Sequence, residues 1–450
     1  MAPAYALFKT HPKLAANLPQ LLLGNWPTPL QPLPRLAAEA GLPFRVFVKR
    51  DDLSSPVYGG NKVRKLELIL GRAAAGREGR FAAAGRGRRP PLVVTAGGLG
   101  SNHVVATAAL AARAGFETRG LLYCQPVTAH VRRNLLAGAA LGADLRFVRD
   151  YPGLVTGYVA ALAKGVSKRA RPPLLIMPGG SSPLSSVGYA NAVLEMVGQL
   201  RAMGERDPAA IFVPAGTGGT AAGLLAGVTL AGLETTVVAV RVVAPGLLGE
   251  AKIRGLAQRT LGLLSHLDPD IAWRITENAI RDLRAPGAGG RLEMEGGFLG
   301  EAYGFATDEA RAAVGLAAHA VGLDLETTYT GKALAALLAA GRERSRAPVG
   351  GPPAGATGKA APPRPWVRQA LEGHPVIFVN TYSSVDPAGI AIGAEPPELV
   401  ARLPESLRWC FNGEPVRGCR CALAAQNRRF CQTVAVTGAR AWEETSPESR

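Results

Sequence analysis

The chain has 450 residues, of which 47% are hydrophobic, and this is enough to form a large core divided between two domains. Its apolar runs are short and interrupted by glycine, and the first residues lack the pattern of a signal peptide. The formal net charge of +17 would suit nucleic acid, but the arginines cluster in loop-like stretches without interleaved aromatic residues. We therefore expect a cytoplasmic protein with a solvated basic surface and with no nucleic-acid or membrane partner.

The five cysteines are too few for a disulfide framework. Four of them fall near the C-terminus, at Cys410, Cys419, Cys421 and Cys431, and their spacing lacks the paired C-x2-C knuckles of zinc modules. We therefore expect no metal site. Residues 401–450 show no clear periodicity and are interpreted as a tail without an assigned fold.

Short apolar runs alternate with helical patterns along most of the chain. Such runs are typical of strands buried on both faces, so the alternation predicts an α/β protein with largely parallel sheets. The predicted strands are residues 45–49, 92–95, 118–123, 174–177, 211–214, 236–243 and 376–380, and helical segments include 104–114 and 190–200. Residues 341–365 are rich in Gly, Pro, Ala and Arg and are expected to form a disordered surface insertion.

The first candidate motif spans residues 59–67, where a glycine turn leads into a helical pattern. Asn61 is a plausible N-cap, which places Lys62 in the first turn of the helix. The positive potential of a helix N-terminus disfavours an ammonium ion, as a lysine that forms a Schiff base requires. The alternative is an ordinary surface lysine.

The second motif places Ser101, Asn102 and His103 at the start of a helix, directly after a strand and a glycine turn. Backbone N–H groups at a helix start can bind a carboxylate, and these three side chains add donors for substrate or cofactor oxygens. Simple capping of the helix by Ser101 or Asn102 is the alternative.

The third motif is a glycine-threonine loop at residues 216–220 between a buried strand and a helix of small residues, and its composition is typical of a phosphate-binding loop. No Gly-Lys-Ser/Thr follows, which excludes a Walker loop. Gly216, Gly218 and Ala221 also match a loose dinucleotide fingerprint. An NAD-dependent enzyme would need an acidic residue at the end of the next strand, where Arg241 and Ala244 lie instead.

Taken together, four motifs resemble the family of D-cysteine desulfhydrase and 1-aminocyclopropane-1-carboxylate deaminase. They are Gly-Gly-Asn-Lys-x-Arg-Lys-Leu-Glu at 59–67, Gly-Ser-Asn-His at 100–103, Gly-Thr-Gly-Gly-Thr-x-Ala-Gly at 216–223 and Thr-Tyr-Thr-Gly-Lys-Ala at 328–333. The resemblance covers most of the chain, to about Thr381. It implies pyridoxal 5'-phosphate as the cofactor, a small amino acid as the substrate and a homodimer.

The same resemblance implies a two-domain fold like that of the tryptophan synthase β-subunit, with parallel sheets flanked by helices and the cofactor in the interdomain cleft. By position, residues 1–62 and 187–400 would form the large cofactor-binding domain, and residues 63–186 the small domain. The insertion at 341–365 and the tail at 401–450 match nothing in the family pattern.

Matched residue by residue, Lys62 is similar to the cofactor lysine and Asn102 to the partner of the cofactor's ring hydroxyl. Thr381 is similar to a hydroxyl partner of the ring nitrogen. The phosphate loop corresponds to Gly216, Thr217, Gly218, Gly219 and Thr220. The substrate is expected to meet Ser101, Asn102 and His103, and catalysis to involve Lys62, Ser101, Tyr303 and Tyr329.

The choice of substrate depends on Thr330 and Thr381. In the deaminase branch a glutamate follows the tyrosine, whereas Thr330 after Tyr329 and Thr381 as the hydroxyl partner of the ring nitrogen are similar to the desulfhydrase branch. We therefore expect β-elimination from D-cysteine, with 1-aminocyclopropane-1-carboxylate deamination or a non-catalytic binding protein as alternatives. Two departures from the family pattern affect the pocket: Tyr382 and Ser383 replace glycines, and Leu99-Gly100 stands where glutamine commonly precedes the serine.

Overall fold

The computed structural model describes residues 5–81, 90–149, 151–167, 172–275, 291–345, 364–390 and 396–412. The chain divides into two compact units, which we describe separately. The first unit comprises Met1–Ser55, Gly59–Leu68 and Ser181–Ser384, and the second comprises Pro56–Tyr58, Ile69–Gly180 and Val385–Arg450.

The described strands are β1 (Leu30–Pro32), β2 (Val46–Lys49), β3 (Leu92–Gly98), β4 (Glu117–Tyr123), β5 (Asp144–Phe147), β6 (Leu174–Leu175), β7 (Ala210–Ala215), β8 (Thr236–Arg241), β9 (Leu292–Glu295) and β10 (Val376–Val379). The α/β class with parallel sheets is confirmed. Every predicted strand is present, whereas sequence reasoning missed β1, β5 and β9, which are only three or four residues long.

The described helices are α1 (Ala6–Thr10), α2 (Pro12–Asn17), α3 (Pro34–Glu39), α4 (Lys62–Phe81), α5 (Asn102–Arg113), α6 (Ala129–Ala140), α7 (Tyr151–Ser167), α8 (Pro183–Ala202), α9 (Gly219–Leu230), α10 (Glu250–Leu267), α11 (Pro269–Arg274), α12 (Asp308–Val321), α13 (Thr330–Ser345), α14 (Pro365–Leu371), α15 (Pro387–Ile390), α16 (Pro396–Arg402) and α17 (Glu405–Asn412). Among the described residues, no helix is long and apolar enough to span a membrane.

The first unit contains a six-stranded sheet in the order β1-β2-β10-β7-β8-β9. All neighbouring strands pair in parallel except β1 and β2, which are antiparallel. Successive side chains of a strand point to opposite faces, so Ile211 and Val213 of β7 join one core cluster while Ala210 and Phe212 join another. Both faces of this sheet are therefore covered, as the continuous apolar runs predict.

The second unit contains a four-stranded parallel sheet in the order β5-β4-β3-β6. A correction concerns residues 401–450, which the sequence analysis interprets as a tail without an assigned fold. Leu403, Leu407 and Cys410 lie in the core cluster of this unit together with Leu135 and Leu145. Leu407 and Cys410 lie three residues apart on α17, which is the spacing of one helix face, and Leu403 lies just before this helix, so α17 is part of the unit.

The domain boundaries also differ from those expected. The second unit includes Pro56–Tyr58, resumes at Ile69 rather than residue 63 and gives way to the first unit at residue 181 rather than 187. Residues 385–390 and 396–400, expected in the large domain, belong to it as well. Of the predicted insertion at 341–365, the structure describes only the two ends: α13 continues to Ser345, where Gly341 packs against Leu42 and Phe44, and α14 begins at Pro365. Residues 346–363 lie outside the described residues.

In the described part of the chain, no group of His, Cys, Asp or Glu is arranged to hold a metal ion. Cys410 is buried and free. Cys419, Cys421 and Cys431 lie outside the described residues.

Candidate cofactor and catalytic site

Lys62 is the first residue of α4 and follows a glycine turn that is fixed to the end of β10. The Asn61 N–H donates to the Thr381 carbonyl over 3.1 Å. Gly60 has φ +86°, and a Cβ atom there would lie 2.6 Å from the same carbonyl oxygen. Only glycine combines this backbone conformation with such a close approach, so the turn fixes where α4, and hence Lys62, begins.

The Lys62 amine is the donor end of a short chain of hydrogen bonds. Its Nζ donates to Asn61 Oδ1 over 2.7 Å, and Asn61 Nδ2 donates to Thr220 Oγ1 over 3.0 Å. Burial lowers the pKa of Lys62 to about 8, and the carboxylate of Glu326 acts in the opposite direction. The sequence analysis attributes the reactivity of Lys62 to the helix dipole. In the structure, the main cause that disfavours its ammonium form is removal from water.

The glycine-threonine loop has the geometry of a phosphate-binding site. Gly218, with φ +85°, precedes α9, so the backbone N–H groups of the first turn of this helix lie at the loop. A Cβ at Gly219 would lie 2.3 Å from Ser181 Oγ and 3.1 Å from Lys65 Nζ. The hydroxyls of Ser181 and Thr217 hydrogen bond over 2.7 Å. Backbone donors, hydroxyls and an ammonium group thus converge on this loop, and this donor set fits the phosphate of pyridoxal phosphate.

Lys65 is a site residue that sequence reasoning missed, although the first motif contains it. It is 2% exposed. Burial, and then the positive charge of Lys62, lower the pKa of Lys65 well below its usual value. Both effects disfavour the charged form of Lys65, and a bound phosphate would favour it.

Tyr303 and Tyr329 are brought together as a pair. Their hydroxyl oxygens are 2.8 Å apart, and their rings meet edge to face with centroids 6.0 Å apart. Tyr329 also lies beside the phosphate loop, since a Cβ at Gly216 would be 3.4 Å from its Cε1 atom. The pair therefore offers two connected hydroxyls next to the loop.

Glu326 and Lys332 form hydrogen bonds with the two segments that carry this pair. The Glu326 carboxylate accepts hydrogen bonds from the backbone N–H groups of residues 328, 329 and 330 at 2.7 to 2.9 Å, at the start of α13. Lys332 Nζ donates to the Leu299 carbonyl over 2.6 Å, on the segment that carries Tyr303. Burial lowers the pKa of Lys332 to about 8, again opposed by Glu326.

The departure at Ser383 has a structural role. The Gly59 N–H donates to Ser383 Oγ over 2.9 Å, and the Ser384 hydroxyl donates to the Asp52 carbonyl over 2.9 Å. With the Asn61 bond to Thr381, these contacts fasten residues 381–384 to the turn before Lys62. A glycine at 383 would lack the hydroxyl, so this chain holds its lysine turn with an additional side chain.

In the second unit, Ser101 is the N-cap of α5, since its Oγ accepts from the Val104 N–H over 3.4 Å. His103 is only 4% exposed, and its Nε2 lies 2.8 Å from Thr95 Oγ1. The Thr95 hydroxyl donates to the Ile176 carbonyl, so His103 Nε2 is the donor toward Thr95. This arrangement fits a supporting role inside the unit, whereas a direct contact of His103 with substrate stays a prediction.

Asn102 follows the cap and keeps an ordered side chain. Its Oδ1 accepts from Asn134 Nδ2 over 2.8 Å and from the Tyr58 hydroxyl over 3.3 Å. Asn134 also donates to the Gly100 carbonyl over 2.9 Å. Neither Asn134 nor Tyr58 carries a motif that sequence reasoning could have used.

The first unit therefore brings together Lys62, the loop at 216–220, Tyr303 and Tyr329, and it places the backbone of Thr381 against the lysine turn. The second unit holds Ser101, Asn102 and His103 at one helix start. Sequence reasoning identified these groups but missed the side chains that position them. The missed residues are Asn61 as a partner of Lys62, Lys65, Ser181, Glu326, Lys332, Tyr58 and Asn134.

Comparisons with known proteins identify the family of the chain. The family described as "Pyridoxal-phosphate dependent enzyme" matches residues 21–350. The chain belongs to this family of pyridoxal-phosphate-dependent enzymes, and pyridoxal phosphate is its cofactor. The resemblance inferred from the motifs is thereby confirmed.

Within the family, the chain is 32% identical over 332 residues to a Pyrococcus abyssi protein named "Putative 1-aminocyclopropane-1-carboxylate deaminase", which covers 73% of this chain and 89% of that protein. It is 32% identical to D-cysteine desulfhydrase of Salmonella typhi over 72% of this chain and 88% of that protein. It is 40% identical over 244 residues to nocardicin C-9' epimerase of Nocardia uniformis subsp. tsuyamanensis, over 52% of this chain and 68% of that protein.

A solved structure, described as that of an ACC deaminase homologue, superposes with a TM-score of 0.59 at 24% identity, over 90% of this chain and 100% of that one. At this identity the likeness bears on the fold alone. It confirms the fold class inferred from the motifs.

Proposed function

We propose that the chain is a lyase of the D-cysteine desulfhydrase type, which converts D-cysteine and water into pyruvate, ammonia and hydrogen sulfide. The residue after Tyr329 carries the proposal. Thr330 is fully buried, and its hydroxyl accepts from the Glu326 N–H over 2.9 Å. Position 330 therefore offers no carboxylate of the kind expected in a deaminase, and the proposed partner of the ring nitrogen is the neutral hydroxyl of Thr381.

When bound, pyridoxal phosphate supplies an electron sink that acidifies the Cα–H bond of an attached amino acid. Lys62 is the proposed base for that proton, because with a pKa of about 8 its amine is unprotonated far more often near neutral pH than that of an exposed lysine. Asn61 Oδ1 then accepts a hydrogen bond from the protonated amine. A neutral partner at the ring nitrogen favours rapid loss of a good leaving group over long storage of charge in the ring.

The tyrosine pair is the proposed proton source for the leaving sulfur. Two hydroxyls 2.8 Å apart can pass a proton from one to the other, and Tyr329 lies beside the phosphate loop. Ser101, Asn102 and His103 are the proposed contacts for the substrate carboxylate, and Asn102 is also the proposed partner of the cofactor's ring hydroxyl. The homodimer and the cytoplasmic location likewise stay predictions.

The test begins with absorbance spectra of the purified protein with pyridoxal phosphate, before and after borohydride. We expect a reducible Schiff base in the wild-type chain and none in Lys62→Ala. Lys9→Ala is the matched control, because it removes an exposed lysine and leaves the attachment point intact. A Schiff base that persists in Lys62→Ala would overturn the assignment of Lys62.

Pyruvate release then distinguishes the substrates. We expect faster release from D-cysteine than from L-cysteine, accompanied by equimolar sulfide, and no 2-oxobutyrate from 1-aminocyclopropane-1-carboxylate. Turnover of the cyclopropane substrate at a comparable rate would favour the deaminase instead. A protein that binds the cofactor but turns over none of these amino acids would favour the non-catalytic alternative.

A second candidate is epimerisation at Cα, which the 40% identity to an epimerase favours. It requires the same proton removal by Lys62 followed by protonation from another group, for which the pair of Tyr303 and Tyr329 is available. In deuterium oxide, an epimerase would incorporate deuterium at Cα and invert the amino acid without releasing pyruvate. Elimination would release pyruvate and leave little exchanged substrate.

A further inference from the structure

Asn134, on α6 of the second unit, contacts the helix start that carries Asn102. It is 2% exposed, and its Nδ2 donates to two acceptors, the Gly100 carbonyl at 2.9 Å and Asn102 Oδ1 at 2.8 Å. His130 Nε2 lies 3.2 Å from the same nitrogen, farther than either acceptor. The two protons of the amide therefore go to the two nearer oxygens.

The backbone carbonyl of Gly100 settles the orientation of both amides. A carbonyl oxygen can only accept, so the Asn134 atom that faces it is the nitrogen. The same nitrogen faces Asn102, so the Asn102 atom that receives it is the oxygen. The Tyr58 hydroxyl, from a side chain that is 1% exposed, donates to this oxygen over 3.3 Å as well.

Two donors thus occupy the two lone-pair directions of Asn102 Oδ1. Among the described residues, both hydrogen bonds of the Asn102 side chain end on this oxygen, so Nδ2 keeps its two N–H donors for another group. A phenolate oxygen is a strong acceptor with no proton to give, and it matches an amide that presents N–H rather than C=O.

We propose that Asn134, assisted by Tyr58, is a positioning residue that fixes the Asn102 amide so that its N–H group, and not its carbonyl, is presented to the ring hydroxyl oxygen of pyridoxal phosphate. This inference rests on the proposed role of Asn102. An asparagine held by a single contact would be free to present either end, because its oxygen and nitrogen have nearly the same shape. Asn134 removes this ambiguity.

The isosteric variant Asn134→Asp reverses the pattern. A carboxylate only accepts, so the Asn102 amide turns its N–H toward residue 134 and presents its oxygen to the cofactor. A donor on the ring oxygen weakens the hydrogen bond between that oxygen and the Schiff-base proton, so loss of the donor raises the pKa of the Schiff base. We expect this rise, seen as a shift of the spectral transition to higher pH, and about ten-fold weaker cofactor binding.

The decisive experiment introduces Asn134→Asp both into the wild-type chain and into Asn102→Ala. If Asn134 acts through Asn102, Asn134→Asp shifts the Schiff-base pKa in the otherwise wild-type chain but not in Asn102→Ala. Equal shifts in both backgrounds, or none in either, would overturn the inference while leaving the proposed function intact. Absence of a Schiff base in the wild-type chain would instead remove the proposed function and this inference with it.

Tyr58→Phe provides a second route if Asn134→Asp fails to fold. It removes the longer of the two donors and leaves the Asn134 contact with Gly100 intact, so the unit loses only one hydroxyl. We expect a smaller shift of the Schiff-base pKa, upward as in Asn134→Asp and again absent in Asn102→Ala. A shift that persists in Asn102→Ala would show that Tyr58 acts on the unit rather than on the asparagine.

Discussion

Helix α4 buries positive charge in two different ways within its first two turns. Arg64 is fully buried, and its guanidinium donates two hydrogen bonds to Asp51 and two to Glu195, all at 2.8 to 2.9 Å. These carboxylates raise the pKa of Arg64 well above its usual value. Lys62 and Lys65 are shifted the other way, because burial dominates at both.

The difference separates a residue that holds the fold from the residues that we propose bind the cofactor. The charge of Arg64 is compensated inside the protein, in the geometry in which a buried ion pair is best satisfied. Burial disfavours the charged form of Lys62 in the cofactor-free protein, and the unprotonated amine is the form that attacks a carbonyl. The lowered pKa of Lys62, beside the raised pKa of Arg64 on the same helix, supports the proposed attachment of the cofactor at Lys62.

The largest expected effect is that of Arg64→Met. It leaves Asp51 and Glu195 buried without their common partner, so we expect the free energy of unfolding to fall by about 3–5 kcal/mol. Urea unfolding monitored by circular dichroism measures it. Arg64→Lys keeps the charge but cannot form the paired contacts, so its free energy of unfolding should lie between those of wild type and Arg64→Met. A loss below about 1 kcal/mol would mean that the network contributes little to the fold.

Lys65→Met should act on cofactor binding. We expect cofactor affinity to fall about 10- to 100-fold, since a charge-assisted hydrogen bond to phosphate is lost. Binding is measured by titration with pyridoxal phosphate. Lys9→Met, at an exposed position, controls for the change in net charge. Loss of stability without loss of affinity would place Lys65 among the fold-supporting charges instead.

Features that depend on one short stretch of sequence could be predicted from the sequence. Continuous apolar runs predicted the buried strands, and the glycine-rich turns predicted where Lys62 and the loop at 216–220 stand. Residue partners far apart in the chain left no local pattern: Glu195 is 131 positions from Arg64, and Asn134 is 32 positions from Asn102. The helix at 405–412 was missed because two turns are too few to establish a period.

Glu326→Gln sharpens the comparison at Lys62. Glu326 is the charge that raises the pKa of Lys62 against the effect of burial, so its removal should lower that pKa further below about 8. The rate of Schiff-base formation, followed by absorbance against pH, should then reach its plateau at lower pH. Glu309→Gln removes the same charge from an exposed position and should leave the profile unchanged. An unchanged profile in Glu326→Gln would show that its carboxylate acts only on the helix start.

The last effect concerns how the stability of the cofactor-free protein depends on pH. The pKa of Lys62 is about 8 in the folded chain and 10.5 in an exposed lysine, so between these values the unfolded chain holds a proton that the folded chain has lost. Stability therefore rises with pH across this window, and the rise is lost as pH falls through 8. Lys62→Met should remove this increment, so its advantage over wild type in urea should shrink from pH 8 to 10.5. Arg64 gives no such pH dependence of stability, because it stays charged in the folded and unfolded chains. A difference in stability between Lys62→Met and wild type that stays constant with pH would mean that the charge of Lys62 is as well compensated as that of Arg64.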